Sequence, residues 1–391
     1  MIARIIIPLI LIIILTDLYI DRRILPQVIK RRMRAWRTVW CFQSIAMIVY
    51  ALALALQKDF APADIDWLNH FLLLLGVWTL PKLAFTGCSI LGWGHCVYHK
   101  TKPNWGNPIG IIIGIIIAAT TVYGYTWGFN RVVVRHVTFA SPDLPASFDG
   151  YRIVQFSDAH VGTYSRSRAH ILIDAIDSIN AQHPDMIAFT GDLQNISPSE
   201  IAAKRDILSR LHAHDGVYSI LGNHDYAFYL DVDDATRRRL CSKVIQEQRR
   251  LGWTLLLNEN RIIRRGSDSL VVAGMEYEGK NIRCPNRGDI RKTLRGIDRR
   301  SSFILMLQHD PTNWQTNILP NSNAQLTLSG HTHAAQLRVF GWTPASLLYN
   351  QSDGMYYAGK RAINVSSGIG GLAPFRFWCP GEIVVITLKK K

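Results

Sequence analysis

No two of the six cysteines (Cys41, Cys88, Cys96, Cys241, Cys284 and Cys379) are spaced as CxxC, and they fall three and three in the two halves of the 391-residue chain. A full disulfide set is not expected in either half, and cysteine usage leaves the redox compartment open. There is no internal repeat. No aromatic residues interleave the basic clusters in the base-stacking manner, so nucleic acid is not expected as a partner. Acidic residues are scarce: 29 Asp and Glu stand against 44 Lys and Arg, a net charge of +15. That excess suits an anionic partner such as a lipid surface. Apolar residues, by contrast, make up 48%, and the first 130 positions account for much of that share.

Four apolar stretches occur there. Ile5–Leu15, resuming as far as Ile20, has no Ala-x-Ala cleavage signal after it and reads as a retained anchor rather than a signal peptide. Thr38–Leu56, Trp67–Trp93 and Pro108–Trp127 follow, each close to or above the roughly 20 residues that cross a bilayer. Pro81-Lys82 interrupts the third, which reads either as one kinked helix or as two half-inserted pieces. Gly106, Gly110 and Gly114 fall four apart, the spacing of a close-packed helix face. Arg22, Arg23, Lys30, Arg31, Arg32, Arg34 and Arg37 separate the first two stretches and should stay cytoplasmic. The loop Gln57–Asp66 has one Lys, and the next, with Lys100 and Lys102, is basic again. Four full crossings then make this a multi-pass protein of the cell membrane. Everything after Trp127 would lie on the non-cytoplasmic side, and the reverse holds if the third stretch does not cross.

From Arg131 the pattern changes. We expect residues 1–130 to form a membrane region of about four transmembrane helices, 131–150 a linker that includes a strand at Val132–Phe139, and 151–391 a second domain. In that domain strands alternate with helices: Ile153–Phe156, helix Arg168–Gln182, Met186–Thr190, helix Glu200–Ala213, Val217–Leu221 and the basic helix Asp234–Leu251. Short strands follow at Trp253–Leu257, Arg261–Arg264, Leu270–Gly274, Phe303–Leu307, Leu326–Leu328, Ala362–Val365 and Ile383–Leu388. This order suggests two packed sheets flanked by helices.

The first strand ends in Ser157-Asp158-Ala159-His160. Side chains two apart on an extended chain point the same way, so one cation could meet Asp158 and His160 together. Comparable ends recur at Gly191-Asp192, Gly222-Asn223-His224-Asp225, Gln308-His309-Asp310 and Gly330-His331-Thr332-His333. Carboxylate, imidazole and amide oxygen together suit divalent cations such as Mn, Fe and Zn. Strand carboxyl ends are where α/β sheets form ligand sites. An Asp can bridge two cations about 3.5–4 Å apart, the clamp used for in-line attack at phosphorus. Ser157 reads as structural, and no Ser or Cys nucleophile is required.

These five clusters, in this order, resemble the motif series of the calcineurin-like metallophosphoesterases, over roughly Tyr151–Leu388. With Ala334-Ala335-Gln336 after His-Thr-His, they resemble most its membrane-associated bacterial branch. The resemblance implies a four-layer α/β/β/α sandwich, here preceded by an α-helical transmembrane region. It implies one metal on Asp158, His160, Asp192 and His333, and a second on Asp192, Asn223, His309 and His331. His224 would meet the phosphate and protonate the leaving oxygen, oriented by Asp225. One departure stands out: Asn195 occupies the position, three residues after the bridging Asp192, where many members carry an acid. It bears on the groups around the ligands rather than on metal binding itself.

The expected protein is a membrane-anchored phosphohydrolase holding two divalent metals (Mn, Fe, Zn or a mixed pair). Hydroxide from metal-acidified water would attack a phosphoester or pyrophosphate, with His224 as general acid. Two basic clusters, Arg237, Arg238, Arg239, Arg249 and Arg250 and then the run Lys280–Arg300, would suit a phospholipid or nucleotide-lipid substrate. The alternatives are a hydrolase of soluble nucleotides or phosphoproteins and a non-catalytic membrane sensor or transport partner. The complete ligand set, His224 included, argues against the last.

Overall fold

The computed structural model describes residues 2–28, 33–56, 66–280, 284–298 and 302–391, in two units, Met1–Thr126 and Trp127–Lys391. Lys30, Arg31 and Arg32, most of the Gln57–Asp66 loop, and Arg283, Arg299 and Arg300 lie outside the described residues.

The first unit is helical. Ile2–Tyr19 runs on through a π-helical turn, Ile20–Ile24, and Met33–Leu56 follows. The third apolar stretch is one continuous helical run, Asp66–His99, and the fourth runs Gly106–Gly128. Both are long and apolar enough to cross a membrane, and Trp40–Leu56 is a shorter apolar helix. Pro81 does not break the third run, because the π-helical turn Leu75–Thr79 stands just before it. Proline lacks the N–H of an i→i−4 bond and crowds the carbonyl four residues back; a widened turn relieves both problems. The same arrangement recurs before Pro26 and Pro320. The glycine stripe packs closely: a Cβ on Gly106 would lie 2.0 Å from the Cys88 carbonyl oxygen, and one on Gly110 2.9 Å from Phe85 Cα. The Lys82 ammonium sits 3.2 Å from Asp17 Oδ1, 2.9 Å from Ser44 Oγ and 4.3 Å from the centroid of the Trp40 ring. Pairing of this kind offsets the cost of a charge within an apolar bundle.

The second unit is a pair of six-stranded sheets. In the first sheet the order is β1 (Val132–Ser141), β12 (Gly381–Lys390), β2 (Arg152–Phe156), β3 (Met186–Phe189), β4 (Val217–Ser219), β5 (Thr254–Leu255). In the second it is β10 (Gly354–Ala358), β11 (Arg361–Val365), β9 (Leu326–Ser329), β8 (Phe303–Leu307), β7 (Asp268–Gly274), β6 (Glu259–Arg265). Strands with both faces covered read as unbroken apolar runs, and β8 shows why. Phe303, Leu305 and Leu307 join Ile153 and Val384 of the other sheet in the core between the sheets, whereas Ile304 and Met306 point outward to pack with Trp314 and Ile318. On the far side Val154 and Phe156 meet the helix Ala169–Asn180 through Ile171, Ala175 and Ile179. The layers are therefore α/β/β/α.

Several expected elements differ. The 131–150 segment is no linker. Val132–Ser141 pairs in parallel register with β12 along its whole length, and Ala146–Phe148 is a 3-10 turn whose Phe148 is buried in the core. The expected helix Glu200–Ala213 is two pieces, Pro198–Ala203 and Arg205–Leu208, separated at Lys204. β10, absent from the expected strands, is an antiparallel hairpin partner of β11.

Candidate metal centre

β2, β3 and β4 are parallel neighbours in one sheet, and β8 and β9 in the other. Their carboxyl ends deliver Asp158–His160, Asp192, Asn223–His224, His309 and His331–His333 to one place. The loops are laced to each other: Asp158 N–H donates to Gly191 O at 2.9 Å, and His160 N–H to Asp192 O at 3.1 Å. The His331 N–H lies 3.1 and 3.0 Å from the two Asp158 carboxylate oxygens. Asp158, His160, Asp192, His331 and His333 all have positive φ, between 43° and 75°. For non-glycine residues such conformations cost of order 1–3 kcal/mol each and cluster where function demands them.

Among the described residues, three overlapping groups have donor atoms within 4.8 Å of one another; two of them, Asp158, His160 and His333, and Asp192, His309 and His331, match the expected ligand sets. In the first, His333 Nε2 is 3.3 Å from both His160 Nε2 and Asp158 Oδ1. In the second, His309 Nε2 is 3.2 Å from Asp192 Oδ2, 3.1 Å from Asn223 Oδ1 and 3.3 Å from His331 Nδ1. Asp192 Oδ2 also lies 3.7 Å from His160 Nε2, so one carboxylate reaches both clusters. The structure thus brings together all seven expected metal-ligating residues, with His224 beside them; its donor atom groups with those of His160 and Asp192.

The donor chemistry fits divalent cations. Metals take neutral imidazole and ionised carboxylate. Burial, with charge at His224, pulls His160 down to about 3, and burial lowers His331 and His333 as well. Burial works to raise Asp192 but is outweighed by His309 and His224, which hold it well below the ordinary carboxylate range. Burial would lower His309, yet the Asp192 carboxylate against its ring carries it up to about 10. Asp158 is pushed up to about 6 by burial and by Asp192. Two buried carboxylates facing several imidazole nitrogens is the electrostatic pattern a cation relieves. His309 is fixed by its Nδ1–H, which donates to Thr190 O at 2.7 Å, leaving Nε2 turned inward. Orientation of this kind through the second nitrogen is typical of metal-binding histidines.

Asp225 departs from its expected role. Its carboxylate does not orient the His224 ring; it accepts N–H groups from Asp192 and Gly222 at 2.9 Å each, Leu193 at 3.1 Å and Gln194 at 3.3 Å. The ring of His224 is held instead by the Asn195 carbonyl, which accepts its Nδ1–H at 2.6 Å, and by stacking on Tyr229 at 4.3 Å between centroids. Sequence reasoning missed Tyr229, whose hydroxyl accepts from Asn223 Nδ2 at 2.8 Å. It also missed Tyr349, whose hydroxyl is 3.1 Å from His331 Nε2. Neither belongs to a recognisable motif. Of the basic helix Asp234–Arg250, Arg237 and Arg250 are paired locally with Asp234 and Glu247.

Comparison with known proteins agrees. A family model described as calcineurin-like phosphoesterase matches residues 151–335, and one described as probable calcineurin-like phosphoesterase, transmembrane domain, matches residues 3–129. The metallophosphoesterase YkuE of Bacillus subtilis (strain 168) is 32% identical over 71% of this chain and 95% of its own length. A transmembrane protein with metallophosphoesterase domain from Danio rerio is 30% identical over 71% of this chain, which spans 62% of that protein. A metallophosphoesterase of Aquifex aeolicus (strain VF5) is 26% identical over 66% of this chain and 92% of its own. With a four-layer sandwich, paired donor clusters at its strand ends and an N-terminal transmembrane domain, the chain belongs to the calcineurin-like metallophosphoesterases and is a metal-dependent phosphoesterase of the membrane.

Proposed function

We propose that this enzyme hydrolyses a phosphoester or pyrophosphate bond carried by a lipid or nucleotide-lipid. Asp158, His160, Asp192 and His333 would hold one divalent cation, and Asp192, Asn223, His309 and His331 the second. The observation that carries the reading is the Asp192 carboxylate, within 3.7 Å of His160 and 3.2 Å of His309. When bound, such a pair of cations supplies Lewis acidity toward phosphoryl oxygens and a water acidified to near-neutral pKa.

The protein's own contribution centres on His224. Its Nδ1–H is committed to Asn195, so Nε2 is the nitrogen left for substrate. Burial lowers its pKa, and an arriving phosphate anion favours the protonated ring. Tyr229 on one face and the edge contact with His160, 4.8 Å between centroids, fix where the proton is presented. A positioned acid of this kind protonates the leaving oxygen. The lipid substrate is inferred from the transmembrane domain, which keeps the enzyme at high effective concentration against membrane-borne phosphate. The basic stretch Arg22–Arg37 supports a non-cytoplasmic catalytic domain.

The test is metal content and bis-p-nitrophenyl phosphate hydrolysis by the full chain after manganese loading. Turnover with about two metals per chain is the expected result, followed by competition between lipid-borne and soluble phosphoesters. A chain that binds no metal would sink the assignment.

A further inference from the structure

We propose that residues 337–348 and 371–380 form a lobe that enters the lipid–water interface and brings membrane-borne phosphoesters to the metal centre. This deepens the lipid-substrate reading and rests on it. In a chain with 44 Lys and Arg, no charged residue occurs from Val339 to Ser352, and Arg376 is the one charged residue from Ser366 to Gly381. Arg376 does not reach the surface. It is fully buried, its guanidinium donating to the carbonyls of Ser367, Gly368, Gly370, Cys379 and Pro380. Arg338, at the base of the lobe, is paired with Asp353.

What the lobe shows to solvent is large and apolar: Phe340 is 96% exposed, Leu347 75%, Leu348 73%, Trp378 52%, Trp342 50% and Leu372 41%. The two loops are joined at Phe340 and Trp378. The Phe340 and Trp378 rings lie 6.0 Å apart, edge to face, and the Arg338 N–H donates to Phe377 O at 2.9 Å. Gln336 Nε2 ties one loop to the other through Ala373 O at 3.1 Å and Phe375 O at 2.7 Å. An exposed apolar patch rimmed by polar surface marks an interaction site, and Trp with Phe and Leu is the composition of elements that settle at the headgroup boundary.

Two observations select the bilayer as occupant. The chain carries its own transmembrane domain, so a membrane is its constant neighbour. The lobe also grows directly from the metal centre. It begins four residues after His333, and it leads into Tyr349, whose hydroxyl meets His331. A lipid held at this rim would present its headgroup phosphate toward the side of the centre that Tyr349 and His331 share.

The experiment uses the full chain in phosphatidylcholine–phosphatidylglycerol nanodiscs, in a background with Cys41, Cys88, Cys96 and Cys241 replaced by serine. Nitroxide labels go on Phe340→Cys, Leu347→Cys and, as a polar control, Lys243→Cys. Labels at 340 and 347 should collide more with oxygen than with a water-soluble nickel chelate, and the label at 243 the reverse. Equal nickel access at all three sites overturns the proposal. So does spin–spin broadening between copies without oxygen enrichment, which would make the face a chain–chain interface. In Phe340→Asp/Leu348→Asp, the ratio of lipid-borne to soluble phosphodiester turnover should fall about tenfold or more; an unchanged ratio overturns the role in substrate access. If the wild type cleaves only the soluble ester, the lipid-substrate reading fails, while label depth still decides where the lobe lies.

Discussion

The main-chain carbonyl of Asn195 holds the imidazole of His224, accepting its Nδ1–H at 2.6 Å. The residue three after Asp192 thus acts through its backbone. Its side-chain amide is turned away to Thr163 Oγ1, 2.7 Å distant, and its own N–H is anchored on Glu200 at 2.6 Å. Replacing an acid by Asn at this position therefore leaves the contact to His224 intact.

If His224 is the proton donor, His224→Ala should keep its metal and lose turnover by roughly 10²–10⁴-fold. The loss should be largest for esters with poor leaving groups, which depend most on protonation. Metal analysis beside kinetics on a leaving-group series decides the matter. Loss of metal in this variant would assign the ring to the ligand set instead.

Asp225 is expected to act on stability first. Its carboxylate gathers four buried N–H groups from the loops that present Asp192 and Asn223. Asp225→Ala strands those donors, at about 1–3 kcal/mol for a buried unsatisfied group, with cooperative rather than additive losses. Thermal unfolding should show a marked drop. Were Asp225 instead an orienting partner of the His224 ring, the near-isosteric Asp225→Asn would cut turnover at unchanged stability.

Asp192→Asn and His331→Ala should each abolish phosphohydrolase activity while leaving membrane insertion normal, because neither residue belongs to the helical unit. Asp192→Asn removes the charge that both clusters share and should reduce bound metal toward zero. Normal turnover by either variant would refute the ligand assignment.

Much of this centre was legible because its ligands directly follow strands whose apolar runs are unmistakable, as Leu307 leads to Gln308-His309 and Ser329 to Gly330-His331. What was not legible has physical causes. The carbonyl of Asn195 has no sequence signature, since every residue carries one. Tyr229 and Tyr349 approach the site from loops without periodicity. The 131–150 segment follows the helical run ending at Gly128 and has turn residues after its strand, so it read as a linker; only its pairing with β12, some 250 residues away in sequence, makes it part of the sheet. The two-residue β5 falls inside the expected strand Trp253–Leu257, whose apolar run extends beyond the two residues that pair with β4.

Gly330 tests how tightly the two sheets close on the centre. A Cβ there would stand 1.9 Å from Ser157 Oγ and 2.2 Å from Asp158 Oδ2. The Asp158 carboxylate is also held by the His331 N–H at 3.0 Å, so it has little room to yield. Gly330→Ala should displace Asp158 and lower metal content while the circular dichroism spectrum stays that of the wild type. Full metal occupancy in this variant would show the loop to be more compliant than its packing implies.

Glu200 gives a pH dependence independent of metal. It caps the helix Pro198–Ala203, accepting N–H groups from Asn195 at 2.6 Å and from Ile196 and Ser197 at 3.1 Å each. Burial nonetheless outweighs those donors and pushes its carboxyl up to about 7 from an ordinary 4.5. Between these values the folded chain binds more protons at this site than the unfolded chain. Its contribution is therefore fully present below the ordinary value and is lost as pH rises through about 7. Over the whole window the effect is at most roughly 3 kcal/mol. Glu200→Gln removes this titration and no other, so the stability difference, wild type minus variant, should decline as pH is raised from about 5 to about 8. Thermal unfolding of both chains across that range measures it. A difference that grows with pH would mean that the three N–H donors, and not burial, govern the carboxyl group.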